Sequence, residues 1–135
     1  MSEIEYNLCP QGQVLQDFAD CRARNSFIMG PLGSGKTVQC ILKLFDLMCE
    51  QEPVSDPEHK NYGVRLSKII AARNTYSELF STTIKDWLEI HGDLGDFKQG
   101  NKEPPTHFIR FNLDDGTRVE CDVVFIAFDR PEHVK

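Results

Sequence analysis

The sequence predicts an α/β fold in which a mostly parallel sheet is flanked by helices. Strand-like and helix-like segments alternate along the 135 residues. Residues 123–128 are continuously apolar, as in strands buried on both faces of a parallel sheet. A glycine-rich segment, residues 30–37, separates a short apolar run from an amphipathic helix pattern. We therefore interpret residues 1–135 as one domain, or part of one.

Composition narrows the class of protein. Hydrophobic residues make up 40% of the chain, which is enough to build a core, and the net charge is -6. That charge argues against the whole chain being a nucleic-acid-binding surface. The five cysteines show no metal-ligand spacing and are interpreted as reduced, buried thiols of a cytoplasmic protein. No signal-peptide pattern and no apolar stretch long enough for a bilayer is found.

The first third of the chain predicts two helices and one strand. Pro10 is expected to open a short helix that reaches about Arg22. Residues 26–29 are predicted to form the first strand. Residues 36–50 are predicted to form a helix with apolar side chains on one face. That face comprises Val38, Ile41, Leu42, Phe45 and Met48.

The middle of the chain predicts a loop, a strand, a helix and a second loop. Residues 51–62 are polar and proline-containing and are predicted to form a loop. Residues 65–73 have an apolar centre and predict a strand. Residues 76–91 predict a helix with one apolar stripe that includes Trp87, and Gly92 is expected to end it. Residues 93–105 are predicted to be a loop.

The last third predicts a hairpin that leads into a buried strand. Ile109, Phe111 and Leu113 alternate with polar residues, and Asp115 and Gly116 form a turn signal. Residues 118–122 alternate on the return and continue into the apolar run 123–128. The four histidines show no ligand-like spacing, and surface or loop positions are expected for them.

Residues 30–37 form a complete phosphate-binding loop motif, Gly-x-x-x-x-Gly-Lys-Thr. The segment is Gly30-Pro31-Leu32-Gly33-Ser34-Gly35-Lys36-Thr37. Its glycines allow successive N–H groups to converge on phosphate oxygens, helped by the N-terminus of the following helix. Lys36 is expected to reach the β- and γ-phosphates as the catalytic cation, and the Thr37 hydroxyl to bind Mg²⁺. The predicted fold is therefore that of a P-loop NTPase, with ATP and Mg²⁺ as ligands.

Several segments in order resemble the ATPase domain of bacteriophage terminase large subunits, the genome-packaging motors. The resemblance covers residues 10–15 and 27–37 and the closing stretch 125–132. Its most specific part is Arg-Asn-Thr-Tyr-Ser-Glu-Leu at 73–79 followed by Thr-Thr-Ile-Lys-Asp-Trp at 82–87. A P-loop alone is specific only for P-loop NTPases, so the stretch 73–87 narrows the family.

The resemblance implies a motor that hydrolyses ATP to package DNA into a capsid in the bacterial cytoplasm. It also implies double-stranded DNA, the terminase small subunit and the portal protein as partners, and no membrane. The family's Walker B aspartate and catalytic glutamate are expected downstream of Glu132, and its nuclease domain beyond them. Residues 1–135 therefore correspond to the N-terminal part of the ATPase domain, in which hydrolysis is left open and self-association is possible.

Five residues outside the loop have two interpretations each. Either Gln11 or Gln13 contacts an adenine edge, or both are polar helix residues. Arg73 contacts DNA phosphate or couples the nucleotide site to motion, or it pairs with Glu78. The remaining two, Asp129 and Arg130, come directly after the last predicted strand. Asp129 is a Walker B aspartate or caps a turn or helix led by Pro131, and Arg130 is an arginine finger or a surface ion-pair residue.

Two other functions compete with the packaging motor. A small P-loop kinase has a compatible length, but residues 50–63 contain no arginine for a lid. A non-catalytic prophage remnant is the third interpretation. It predicts an open sheet edge, exposed apolar surface and low stability.

Overall fold

The computed structural model of the chain describes residues 12–29, 35–100 and 103–130. The chain divides into two compact units, Met1–Leu44 and Phe45–Lys135. The boundary falls inside a helix, so that the first part of this helix belongs to one unit and its last turns to the other.

The first unit contains helix α1, Gln13–Asp20, and the start of helix α2, Lys36–Glu50. Residues 26–29 are described but form no strand, so the predicted first strand is wrong. Phe27 and Met29 are each 90% exposed. An apolar run becomes a strand only where a neighbouring strand completes its backbone hydrogen bonds, and no described strand pairs with this one.

The second unit contains a four-stranded sheet with the order β1-β4-β3-β2. The strands are β1, Val64–Arg73; β2, Asp96–Lys98; β3, Thr106–Asn112; and β4, Arg118–Ala127. β1 and β4 are parallel, whereas β4 with β3 and β3 with β2 are antiparallel. The α/β class is confirmed, but the described sheet is mostly antiparallel rather than mostly parallel.

The antiparallel part arises from two short connections. The predicted hairpin is confirmed, because Leu113 and Thr117 close the turn with a 2.8 Å backbone hydrogen bond and Gly116 has a φ of 87°. β2 lies inside the segment that was predicted to be a loop, and it pairs with the start of β3. A three-residue strand is too short for its own periodicity to reveal it, and pairing alone defines it.

The predicted helix 76–91 is a continuous helical run with a change of winding. It comprises α3, Tyr76–Glu78; a π-helical segment, Leu79–Ile84; and α4, Lys85–His91. The N–H of Gly92 donates to the Leu88 carbonyl at 2.9 Å and ends the run where the sequence predicted. A π-helical segment has more residues per turn than an α-helix, so it rotates the side chains after it relative to those before it.

The core of the second unit lies between this helical run and one face of the sheet. The buried side chains, all under 4% exposed, are Leu79, Ile84, Trp87, Ile109, Val119, Val123, Phe125 and Ala127. β4 alternates between buried and half-buried residues along its length, so burial of both faces of residues 123–128 was a wrong prediction. Phe128 is 58% exposed and Ile70, on β1, is 61% exposed. Within the described chain, only one face of the apolar run is therefore fully buried.

Candidate functional site

Gly35, Lys36 and Thr37 are the motif residues that the structure describes. Gly35 has a φ of 86°, a left-handed conformation that residues with a Cβ rarely adopt. α2 begins at the next residue, Lys36, and the Gly35 carbonyl accepts its first hydrogen bond from the N–H of Gln39 at 2.9 Å. Lys36 is half-buried and Thr37 is exposed. The loop thus turns into a helix at the position that the motif predicts.

Five of the eight motif residues lie outside the described part of the chain. They are Gly30, Pro31, Leu32, Gly33 and Ser34. Gln11 also lies outside it, as do Pro10 and the closing segment 131–135.

α1 packs beneath the end of the motif. A Cβ placed on Gly35 would lie 3.6 Å from Leu15 Cδ1, which is ordinary van der Waals contact. Gln13, one of the two candidate adenine ligands, is exposed, and its Nε2 donates to Asp17 Oδ1 at 2.6 Å. In this structure its amide nitrogen therefore completes an i,i+4 pair on the surface of α1.

The first unit contains a buried lysine that the sequence pattern did not single out. Lys43 is only 7% exposed. Its ammonium nitrogen donates to Ser26 Oγ at 3.1 Å and lies 4.1 Å from the centre of the Phe18 ring. Lys43 therefore links α2 with α1 and with the residues that precede the motif.

The buried face of α2 differs from the predicted one. Ile41 and Met48 are buried as expected, but Val38 is 46% exposed. Two polar residues, Gln39 and Lys43, are buried in its place. A buried face predicted from hydrophobicity alone omits polar side chains that are hydrogen-bonded in the interior. The one indication in the sequence was a lysine at position 43 among apolar residues of the helix.

An open cleft of about 380 Å³ lies along α1 in the first unit. It is lined by Val14, Asp17, Phe18 and Cys21 of α1 and by residues 26–29. The lining is mainly apolar, with one carboxylate. Among the described residues, no cluster of three or more histidine, cysteine or acidic side chains could hold a metal ion.

A second group of candidate residues lies at the carboxyl ends of β1 and β4. Arg73 is level with Ala127 in the parallel register. Asp129 Oδ1 accepts a hydrogen bond from the Tyr76 N–H at 2.9 Å, and the Asp129 N–H donates to the Asn74 carbonyl at 3.1 Å. Asp129 thus caps the start of the helix at Tyr76. The turn or helix led by Pro131, which the sequence suggested for it, lies outside the described residues.

The two candidate arginines flank this capped helix start. Arg73 Nη2 lies 4.0 Å from Glu78 Oε2, with both side chains substantially exposed. The guanidinium carbon of Arg130 lies 4.2 Å from the centre of the Tyr76 ring. The Arg73–Glu78 pair is one of the two alternatives that the sequence left open, and at this distance and exposure it is a weak pair.

Two histidines that were expected at the surface or in loops are fully buried, so that prediction is wrong for them. His91 and His107 both pack against Trp87, with ring centres 4.7 and 6.4 Å from it. Trp87 Nε1–H donates to His107 Nδ1 at 2.8 Å, which requires that nitrogen to be unprotonated. Burial lowers the pKa of His107, while the Leu94 backbone and the Asp96 charge act in the opposite direction.

Comparisons with known proteins identified no relative. No family model, no curated protein and no solved structure matched the chain. In the described residues, no helix has the length and apolar character needed to cross a membrane.

Proposed function

We propose that this chain is a nucleotide-binding module that holds MgATP at residues 30–37. The observation that carries the proposal is Gly35, left-handed and followed directly by a helix that starts at Lys36. In a phosphate-binding loop this geometry directs backbone N–H groups and a helix N-terminus toward one anion. The complete motif in the sequence supplies the ligand class.

The residues of the motif have distinct proposed roles. The amides of residues 30–35 surround the phosphates, and the Lys36 ammonium neutralises the β- and γ-phosphates. The Thr37 hydroxyl, exposed at the start of α2, is the proposed Mg²⁺ ligand. Bound Mg²⁺ would supply charge neutralisation on the phosphates. Gln11 or Gln13 is the proposed contact to the base.

We further propose that the module belongs to the ATPase part of a packaging motor of the terminase type. The support is the sequence stretch 73–87, which includes the strand-end arginine, the capped helix start and the π-helical segment. In that setting Arg73 and Arg130 are candidate contacts to DNA phosphate or to a neighbouring subunit. Asp129 is assigned the cap of the Tyr76 helix rather than Mg²⁺ binding.

The test is nucleotide binding by the unmodified chain and two variants. Increasing MgATP should raise the unfolding temperature of the unmodified chain, because a ligand that binds only the folded state stabilises it by RT ln(1+[L]/Kd). Lys36→Ala should remove this shift. Lys60→Ala, which changes an exposed loop lysine, should keep it. An unchanged Kd in Lys36→Ala would overturn the proposed site.

A second measurement separates a motor module from a kinase. DNA-dependent stimulation of ATP turnover, or nucleotide-dependent DNA binding, is expected of the motor module when it is tested together with the downstream sequence in which the catalytic glutamate is expected. ADP formation that depends on a small-molecule acceptor and not on DNA would instead favour the kinase. Binding of MgATP without either activity would leave only the nucleotide-binding module.

A further inference from the structure

Lys43 has an unusual environment for a lysine. Among the residues that the structure describes, it is the only lysine or arginine that is buried. No carboxylate of the described residues forms an ion pair with it, and its contacts are the Ser26 hydroxyl and the Phe18 ring. Burying an ammonium group costs free energy unless hydrogen bonds or the face of an aromatic ring compensate the lost hydration. The contacts to Ser26 and Phe18 therefore stabilise the charged form of Lys43.

Lys43 lies on the same face of α2 as Lys36. The two residues are seven positions apart, which is close to two helical turns, or about 10 Å along the axis. A contact that fixes the rotation of α2 at Lys43 therefore also fixes the direction in which Lys36 leaves the helix. The position of the Lys36 ammonium depends on that direction.

The two partners of Lys43 lie on the two segments that border the motif. Ser26 is four residues before Gly30, where the motif begins. Phe18 belongs to α1, whose Leu15 lies against Gly35 at the end of the motif. One ammonium group of α2 thus contacts both the segment that precedes the motif and α1, which lies against Gly35.

We propose that Lys43 is a positioning residue for the phosphate site. By fixing the rotation of α2, it directs the Lys36 side chain toward the bound nucleotide. This inference rests on the proposed function. Lys43 itself does not touch the nucleotide, because it lies two turns below the phosphate end of α2. Its effect should therefore appear as weaker binding of MgATP, beyond any loss of fold stability.

The test compares variants that separate charge and hydrogen bonding from volume. Lys43→Met keeps the length and removes the charge, whereas Lys43→Arg keeps the cation, the π contact and a donor to Ser26. Ser26→Ala removes only the hydroxyl. Ile41→Val removes one methyl group from a buried residue of the same helix and serves as the control for general destabilisation. For each variant, the Kd for MgATP is measured by calorimetry, and stability without nucleotide by urea unfolding.

Lys43→Met should raise the Kd about tenfold and Ser26→Ala about threefold, both less than the full loss of a hydrogen bond to a charged group, because the contact acts on the phosphate site indirectly. Lys43→Arg should restore binding to within about threefold of the unmodified chain, and Ile41→Val should lose stability with its Kd unchanged. If Lys43→Met does not fold, Ser26→Ala and Lys43→Arg provide the test.

Two failures are distinguishable. An unchanged Kd in Lys43→Met and Ser26→Ala, in a chain whose binding is lost in Lys36→Ala, overturns the role of Lys43 alone. A similar rise in Kd for Ile41→Val and Lys43→Met also overturns it, because general destabilisation then explains the effect. Absence of MgATP binding by the unmodified chain overturns both the proposed function and the role of Lys43.

Discussion

Asp129 accepts a hydrogen bond from the backbone N–H of Tyr76 at 2.9 Å, although the two residues are 53 positions apart in the chain. The parallel register of β1 and β4 brings them together, because the helix that follows β1 starts beside the turn that follows β4. The Thr75 hydroxyl accepts from the Glu78 N–H at the same helix start. Two side chains from distant segments therefore satisfy N–H groups that a helix leaves open.

Replacing Asp129 tests whether it caps a helix or binds Mg²⁺. We expect Asp129→Ala to lower the free energy of unfolding by about 1 kcal/mol, as measured for other lost helix caps. Asp129→Asn should cost less, because its amide oxygen can still accept from the Tyr76 N–H. Urea unfolding followed by the fluorescence of Trp87, the single tryptophan, measures both changes.

The matched control for this pair is Asp114→Ala, which removes an exposed carboxylate in the hairpin turn. It should leave stability within about 0.5 kcal/mol of the unmodified chain. A specific loss of Mg²⁺-dependent ATP affinity in Asp129→Asn, without loss of stability, would contradict the capping role and favour a Walker B aspartate.

Sequence patterns predicted the local elements of the second unit because those patterns are complete within a few residues. Alternation and the Asp115-Gly116 turn are sufficient for a hairpin, and a stripe that ends at Gly92 is sufficient for a helix. The burial of His107 could not be predicted, because it depends on a hydrogen bond from the Trp87 side chain. That bond forms only when the helix containing Trp87 packs on the sheet. Periodicity contains no information about such a partner.

In the candidate site, too, local features were predicted from the sequence and contacts between distant residues were not. The pattern predicted the start of α2 at about Lys36, because the change from a glycine-rich segment to an amphipathic helix is local. Lys43 was missed because its partners, Ser26 and Phe18, are 17 and 25 positions away, and nothing in the helix pattern marks them. The mostly parallel sheet was a wrong prediction partly because β2, three residues long, has no periodicity of its own and is defined only by its antiparallel pairing with β3.

Two glycines with positive φ provide a matched pair for backbone strain. Gly95 has a φ of 88° and Gly116 a φ of 87°, so alanine is strained at both. A Cβ on Gly95 would also lie 2.0 Å from the Phe108 carbonyl oxygen, whereas a Cβ on Gly116 meets nothing within 4 Å. We expect Gly116→Ala to cost about 1 kcal/mol and Gly95→Ala distinctly more, because the carbonyl belongs to β3 and cannot move away freely.

The measurement is urea unfolding of both variants beside the unmodified chain. The difference between the two losses isolates the steric clash, because the left-handed strain is common to both. Equal losses of stability would mean that β3 shifts to admit the extra carbon, and would contradict the close approach of the loop at Gly95 to the sheet.

Thiol reactivity should follow burial in the folded chain. Burial is the main cause that raises the pKa of Cys49 to about 11, with the Asp46 charge adding to it. Burial likewise raises the pKa of Cys40 and of Cys121. The thiolate is the reacting form, so the raised pKa keeps the Cys49 thiol almost entirely protonated at about pH 8.

Alkylation with iodoacetamide, mapped by mass spectrometry with and without urea, measures this difference. Cys40, Cys49 and Cys121 should react slowly in the folded chain and rapidly in urea. Folded-state alkylation of Cys49 at the rate found in urea would contradict its burial.

Protonation of His107 should make stability depend on pH near neutrality. The pKa of His107 is lowered from 6.5, mainly by burial, so the folded chain disfavours the imidazolium. The stabilisation is complete above the unfolded pKa of about 6.5 and is lost progressively as the pH falls from there toward the lower folded value. Protonated Nδ1 also cannot accept the hydrogen bond from Trp87 Nε1. We therefore expect a smaller free energy of unfolding at about pH 5.5 than at about pH 7.5.

His107→Asn removes the titrating group and places an amide oxygen near the position of Nδ1, where it can accept from Trp87 Nε1–H. Its stability should change less between about pH 5.5 and about pH 7.5 than that of the unmodified chain. If His107→Asn and the unmodified chain lose the same stability over this interval, a group other than His107 sets the pH dependence.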